Sequence, residues 1–159
     1  MSARAEALAK RFEGRAAELG HTIERLTDAD WKKVTSAEKW SVGVTAHHVA
    51  GGHEAIAGIV KAVAGGQSMP PLTMKMLDEM NAKHAVEHAN CTKAEALALN
   101  RTGAVAAAAM VRGLSDAALD RSGTVLTGMP AMTAQQFIEG VLIGHIDEHL
   151  ATIRAVVGH

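Results

Sequence analysis

A chain of 159 residues, 48% hydrophobic and 21% charged, is long enough to bury one core and too balanced to be disordered or fibrous, so a single domain over 1–159 is expected. Its 16 Lys and Arg are scattered among 17 Asp and Glu for a formal net charge of -1, which offers no face to a polyanion, and nucleic acid is not an expected partner. Aromatic residues make up 3%, with no Tyr, while Ala-rich stretches such as Ala106–Ala109 recur; these propensities point to an all-α fold.

Apolar residues Ala5, Leu8, Phe12, Leu19, Ile23 and Leu26 are spaced by three, four and seven with Arg and Glu between them, the pattern of an amphipathic helix ended by a turn at Thr27-Asp28-Ala29-Asp30. A second long helix runs from Ser41 to Ala64, where Gly65-Gly66 and then Pro70-Pro71 stop it, and a shorter segment follows over 72–89. Thr92-Lys93-Ala94-Glu95 and Thr133-Ala134-Gln135-Gln136 fit the capping box, in which the Thr hydroxyl and the side chain three residues on satisfy exposed backbone N–H groups. They start two further long helices, over 92–113 and 133–157, separated by a loop at 122–131 that holds Gly123, Gly128 and Pro130 and reads as irregular. The expectation is a four-helix bundle with one short extra helical segment between the second and third long helices.

Leu26-Thr27-Asp28-Ala29-Asp30-Trp31 is echoed by Leu114-Ser115-Asp116-Ala117-Ala118-Leu119, and each is followed by a loop and a histidine-bearing helix, a hint of internal duplication. The lone Cys91 has no partner for a disulfide, the first twenty residues lack an apolar signal core, and no run approaches the roughly 20 apolar residues that cross a bilayer. A cytoplasmic location and no membrane partner are expected.

The nine histidines carry the chemistry. His145 and His149 lie four apart, on one helix face with Ile138, Leu142, Ile153 and Val156, and two imidazoles in an apolar stripe need a partner for each ring nitrogen. A metal ion supplies one; a backbone carbonyl is the plainer alternative. His48 shares its face with Val44, Gly52, Ala55 and Ile59, and a third imidazole from this neighbouring helix would complete a site with one position open. His84 and His88 have the same spacing, but beside Lys83, Glu87 and Asn90 they read as a solvated face. His47 and His53 are offset around the helix from His48 and read as polar-face residues or supporting partners.

Trp40-Ser41-Val42-Gly43-Val44-Thr45-Ala46-His47-His48-Val49 resembles the Trp-Ser motif, with a histidine eight after the tryptophan, of the DinB-like (DinB/YfiT) superfamily of metalloenzymes. The family's terminal motif, two histidines four apart and then Leu, a small residue, Gln and an aliphatic residue, is matched by His145-Ile146-Asp147-Glu148-His149-Leu150-Ala151-Thr152-Ile153, with Thr152 in place of Gln. Asn81-Ala82 after Asp78-Glu79-Met80 also resembles a segment of one branch of the family. The resemblance follows nearly the whole chain. It implies a four-helix bundle, often a homodimer, with a zinc- or nickel-like divalent ion on His48, His145 and His149.

Activities in that superfamily include S-transfer and isomerisation with bacillithiol, mycothiol or glutathione, so the resemblance implies a small-molecule substrate and a low-molecular-weight thiol. Arg101, Arg112 and Arg154 are candidates for holding a substrate carboxylate, since the guanidinium fork matches it. A metal-dependent hydrolase is the rival enzyme, weakened because Glu54, Glu139, Asp147 and Glu148 are rotated away from the inward histidine faces. A non-catalytic, stress-associated metal-binding or dimeric structural module is the rival from another class.

Overall fold

A computed structural model of the chain describes residues 2–158; the two ends of the expected domain, Met1 and His159, lie outside the described residues. Ser2 caps α1 (Ala3–Arg25), which buries Ala5, Leu8, Phe12, Leu19 and Ile23 on the face expected from their spacing. Ser41 caps α3 (Val42–Ala64), Thr92 and Glu95 form the capping box of α5 (Lys93–Arg112), and Thr133 and Gln136 form that of α7 (Ala134–Phe137). From α7 the chain continues as helix through a π-helical segment, Ile138–Ile143, into α8 (Gly144–Val157).

The all-α bundle is as expected. α1 packs against α5 and the last helical run, and α3 packs against the same two, so α1 and α3 face each other across the diagonal. Phe12, Leu19, Ile23, Leu119, Ile138, Leu142, Ile146, Leu150 and Ile153 fill the centre with almost no exposure. The extra segment is α4 (Met74–Glu87), capped by Thr73, and none of its residues is fully buried. No helix among the described residues is long and apolar enough to cross a membrane.

Three local features depart from the sequence pattern. The turn expected at Thr27–Asp30 is a short helix, α2 (Asp28–Lys32), because Thr27 and Asp30 cap each other's backbone N–H groups as a Thr-Glu box would. Ser115 likewise caps α6 (Asp116–Leu119). The loop expected to be irregular contains a two-residue antiparallel pair, β1 (Ser122–Gly123) with β2 (Met132–Thr133). The third feature, the π-helical segment, widens the last helix by a turn that a 3.6-residue pattern does not anticipate.

The sequence echo thereby becomes a structural one. A long helix, a Thr- or Ser-capped short helix, an antiparallel bridge and a histidine-bearing helix occur in that order as α1, α2, Val34↔Ser41, α3 and again as α5, α6, β1–β2 and the last helical run.

The start of α3 is held by an unusually close contact. Trp31 donates from Nε1 to the Cys91 carbonyl at 3.0 Å and lies across Gly43, where an added Cβ would fall 2.4 Å from that nitrogen. Gly43→Ala is therefore expected to destabilise the fold by about 1–3 kcal/mol, the usual cost of overpacking a filled site. Urea denaturation would read this as a lower midpoint, and an unchanged midpoint would contradict the contact.

Candidate metal centre

The centre is built around the turn that precedes α3. Thr35 donates its N–H to the Trp40 carbonyl and Val42 donates to the Lys33 carbonyl, each at 2.8 Å, closing a hairpin-like loop. Lys39 closes it in the left-handed region at φ 63, a conformation that non-glycine residues adopt sparingly and that clusters at functional sites. Ser41 Oγ then accepts from the Val44 N–H at 3.0 Å, fixing where α3 begins and hence where His48 sits. Trp40 meets the His48 ring edge to face, with centroids 5.1 Å apart.

His48, His145 and His149 converge, each offering one nitrogen, with those atoms all within 4.8 Å of one another. His145 Nε2 lies 3.0 Å from His48 Nε2, close to the roughly 3.3 Å that separates two nitrogens about 2.0–2.1 Å from a tetrahedral ion. Two imidazoles facing through Nε2 share one proton at most, so at least one lone pair points into the gap. Room for the His145 ring comes from Gly52, where a Cβ would lie 3.0 Å from its Cε1. His145 Nδ1 is buried without a hydrogen-bond partner.

A residue that sequence reasoning missed orders the third ring. Glu38, on the turn and half-buried, places Oε1 2.9 Å from His149 Nδ1. A carboxylate accepts from an Nδ1–H, and in a neutral ring so held Nε2 is the nitrogen with the lone pair, the support that carboxylates commonly give to metal-binding histidines. Glu38 Oε2 is buried with no partner. Only its nearness to Trp40-Ser41 could have pointed to Glu38; it sits on a loop, outside any helical period.

The electrostatics keep lone pairs available. Burial, reinforced by neighbouring imidazoles, lowers His48 to about 4 and His145 to about 3, so both rings are uncharged at neutral pH, the form that can ligate. The residues present thus fit a divalent ion.

Other sequence expectations change. Within the His48 face Val44 is buried, but Ala55 is exposed and Ile59 half-buried, making it the edge of the core. His47 and His53 are buried, not polar-face residues. His53 donates from Nε2 to Asn100 Oδ1 at 2.8 Å, and Asn100 donates onward to the Ala16 carbonyl at 2.9 Å. His84 and His88 are half-buried against His47, and the solvated-face reading fails because α3 covers that side of α4. Arg112 is taken by Glu6 and Glu13, Arg154 by Glu18, and Arg101 lines a groove between α1 and α5. Arg15 holds Asp147 at 2.6 Å, Arg11 holds Glu139 at 3.3 Å, and Glu54 and Glu148 are exposed, all consistent with rotation away from the histidines.

Comparison with known proteins follows the same lines. The family described as mycothiol maleylpyruvate isomerase N-terminal domain matches residues 5–142. The chain belongs to that family. It is thereby a member of the DinB-like superfamily. The family match takes in His48 and ends before His145 and His149. Two solved structures share the fold. One is YfiT from Bacillus subtilis, described as a probable metal-dependent hydrolase with an unusual four-helix bundle topology; identity is 19%, the TM-score 0.79, and the match covers 99% of this chain and 89% of that one. The other is a histidine-to-alanine mutant of the mycothiol-dependent maleylpyruvate isomerase, at 11% identity and TM-score 0.74, covering 96% of this chain and 63% of that one. No curated protein sequence matches.

The buried imidazoles set the pH dependence of the metal-free fold. His48 and His84, each lowered to about 4, and His145, lowered to about 3, stay neutral in the folded state, whereas the unfolded chain protonates them near 6.5. Below about 6.5 the unfolded state therefore binds more protons, and stability falls as pH drops toward 4. Thermal melts of chelator-treated protein should show a steadily lower midpoint from pH 7 to pH 5, and a flat profile would contradict the neutral assignment.

Proposed function

We propose that the chain is a metal-dependent enzyme in which His48, His145 and His149 hold a divalent ion, zinc or nickel, and that it transfers or isomerises a small electrophilic substrate with a low-molecular-weight thiol of the mycothiol, bacillithiol or glutathione kind. The observation that carries this reading is the convergence of three imidazole nitrogens, one ring oriented by Glu38. Membership of the mycothiol maleylpyruvate isomerase N-terminal domain family supports the thiol.

A divalent ion held by His48, His145 and His149 would favour the thiolate form of a thiol bound to it. This chain's residues supply the rest. Glu38 orients His149 so that Nε2 is the nitrogen to ligate, Trp40 packs on the His48 ring, and on the helix of His145 the residues Leu142 and Ile146 are fully buried. No protein nucleophile is needed. Cys91 is unsuited to that role, since burial pushes its thiol up and Sγ donates to the Gly43 carbonyl at 3.3 Å.

One observation favours a second reading, hydrolysis. The carboxylate that the helical faces did not supply is present as Glu38, whose Oε2 is buried without a partner and is the candidate general base of this reading. The homodimer implied by the family resemblance belongs to this proposal, supported by Met74, Met76, Met80 and Val86 exposed on α4, as does a cytoplasmic location, where thiols stay reduced.

Elemental analysis of untagged protein should show the ion lost from this site in His145→Ala and His149→Ala, with Glu38→Ala weakening affinity about 10–100-fold. Conjugation of an electrophile should require the ion and one of the three thiols, and Glu38→Gln should leave it largely intact. Abolition by Glu38→Gln, with activity toward ester or amide substrates and none toward thiol acceptors, would favour hydrolysis. Full metal content in both histidine variants would overturn the site.

A further inference from the structure

The sequence sets His47 and His48 side by side on α3, about 100° apart around the helix, so they address different neighbours. His48 turns to the last helix. His47 turns to α4 and is only 7% exposed.

The inner side of α4 is a stripe of half-buried residues at helical spacing, Leu77, Asn81, His84 and His88, three of them polar. Leu77 apart, its large apolar side chains, Met74, Met76, Met80 and Val86, are exposed. An amphipathic helix normally docks through its apolar stripe. Three imidazoles meet between α4 and α3 here.

His47 Nδ1 is 2.8 Å from His84 Nε2, the His47 and His88 rings stack with centroids 4.1 Å apart, and those of His84 and His88 are 4.7 Å apart. Each ring offers a nitrogen within 4.8 Å of the other two. No carboxylate hydrogen-bonds to any of the three among the described residues. His84 Nδ1 is buried with no partner. A single hydrogen bond between His47 and His84 does not account for three rings brought together, nor for the unpartnered nitrogen.

We propose that His47, His84 and His88 form a second divalent-cation site, separate from His48, His145 and His149, whose ion clips α4 to α3. Three imidazoles, one buried and two half-buried, suit zinc, nickel or copper, not magnesium or calcium, which require oxygen ligands. The 2.8 Å nitrogen separation opens by a few tenths of an ångström to the roughly 3.3 Å of a tetrahedral site, a movement that the lightly packed α4 permits. The His48 and His84 rings touch edge to face, with centroids 5.5 Å apart, so the two sites are neighbours and the second borders the first at one ring. The proposal does not depend on the first site being catalytic.

Untagged protein stripped with chelator and dialysed should be titrated with Zn2+ alone and its bound metal counted, in wild type and in His84→Ala, His88→Ala and His149→Ala. Two ions per chain in wild type, falling to one in each variant, is the expected result. Since α4 has no fully buried residue, the His84 and His88 variants should keep the wild-type far-ultraviolet dichroism, and His88→Ala serves if His84→Ala does not fold. One ion in wild type, lost in His149→Ala and kept in His84→Ala and His88→Ala, would overturn the second site and leave the first. One ion lost in His84→Ala and His88→Ala but kept in His149→Ala would uphold the second site and overturn the first. No bound Zn2+ in wild type would overturn both.

Discussion

The hydrogen bond from His149 Nδ1 to Glu38 Oε1 is the contact on which the site geometry depends. It joins the last helix to the turn ahead of α3, and it decides which nitrogen of His149 faces inward. Without an acceptor at that place the ring could present either tautomer, and the inward lone pair would be lost part of the time. The turn must therefore be rigid. Its two backbone hydrogen bonds, the left-handed Lys39 and the Ser41 cap make it so, and they also set the start of the helix that carries His48.

The interior solves the problem of buried imidazole in three ways. His53 is satisfied at one nitrogen by Asn100, which passes the connection to α1 through the Ala16 carbonyl. His149 is satisfied by a carboxylate. His145, His84 and, at its Nδ1, His53 are left with a buried nitrogen that has no partner, and the first two stand in groups of three rings. Unpaired buried polar atoms are costly, so a fold that retains them at two clusters invites a ligand that removes the cost. The diagonal arrangement of α1 and α3 contributes here, because it puts α3 directly against the helix of His145 and His149.

Much of this was legible in the sequence, for identifiable reasons. The four long helices follow from apolar spacing and from caps at Ser41, Thr92 and Thr133, all of which act locally. His145 and His149 share a face by helical spacing, which is also local, whereas the choice of His48 beside them rests on the family resemblance of the Trp40-Ser41 motif. What stayed hidden depends on tertiary packing. Glu38 lies on a loop and reaches a histidine more than a hundred positions away. The buried stripe of α4 is mostly polar, so a search for apolar period reads it as solvated, and His84 and His88 were misassigned with it. The π-helical turn spans Ile138–Ile143, and no residue type announces it. The Asp30 cap of α2 was missed because Asp stands where the common box has Glu or Gln.

The most direct test of the central claim is an anomalous-difference map from a crystal of the zinc-loaded protein, collected at the zinc edge. The arrangement predicts a peak within about 2.0–2.1 Å of His149 Nε2 and of one nitrogen each from His48 and His145, with His149 Nδ1 still on Glu38. A zinc ion bound through His149 Nδ1 with Glu38 displaced, or no peak among these three histidines in metal-loaded protein, would contradict it.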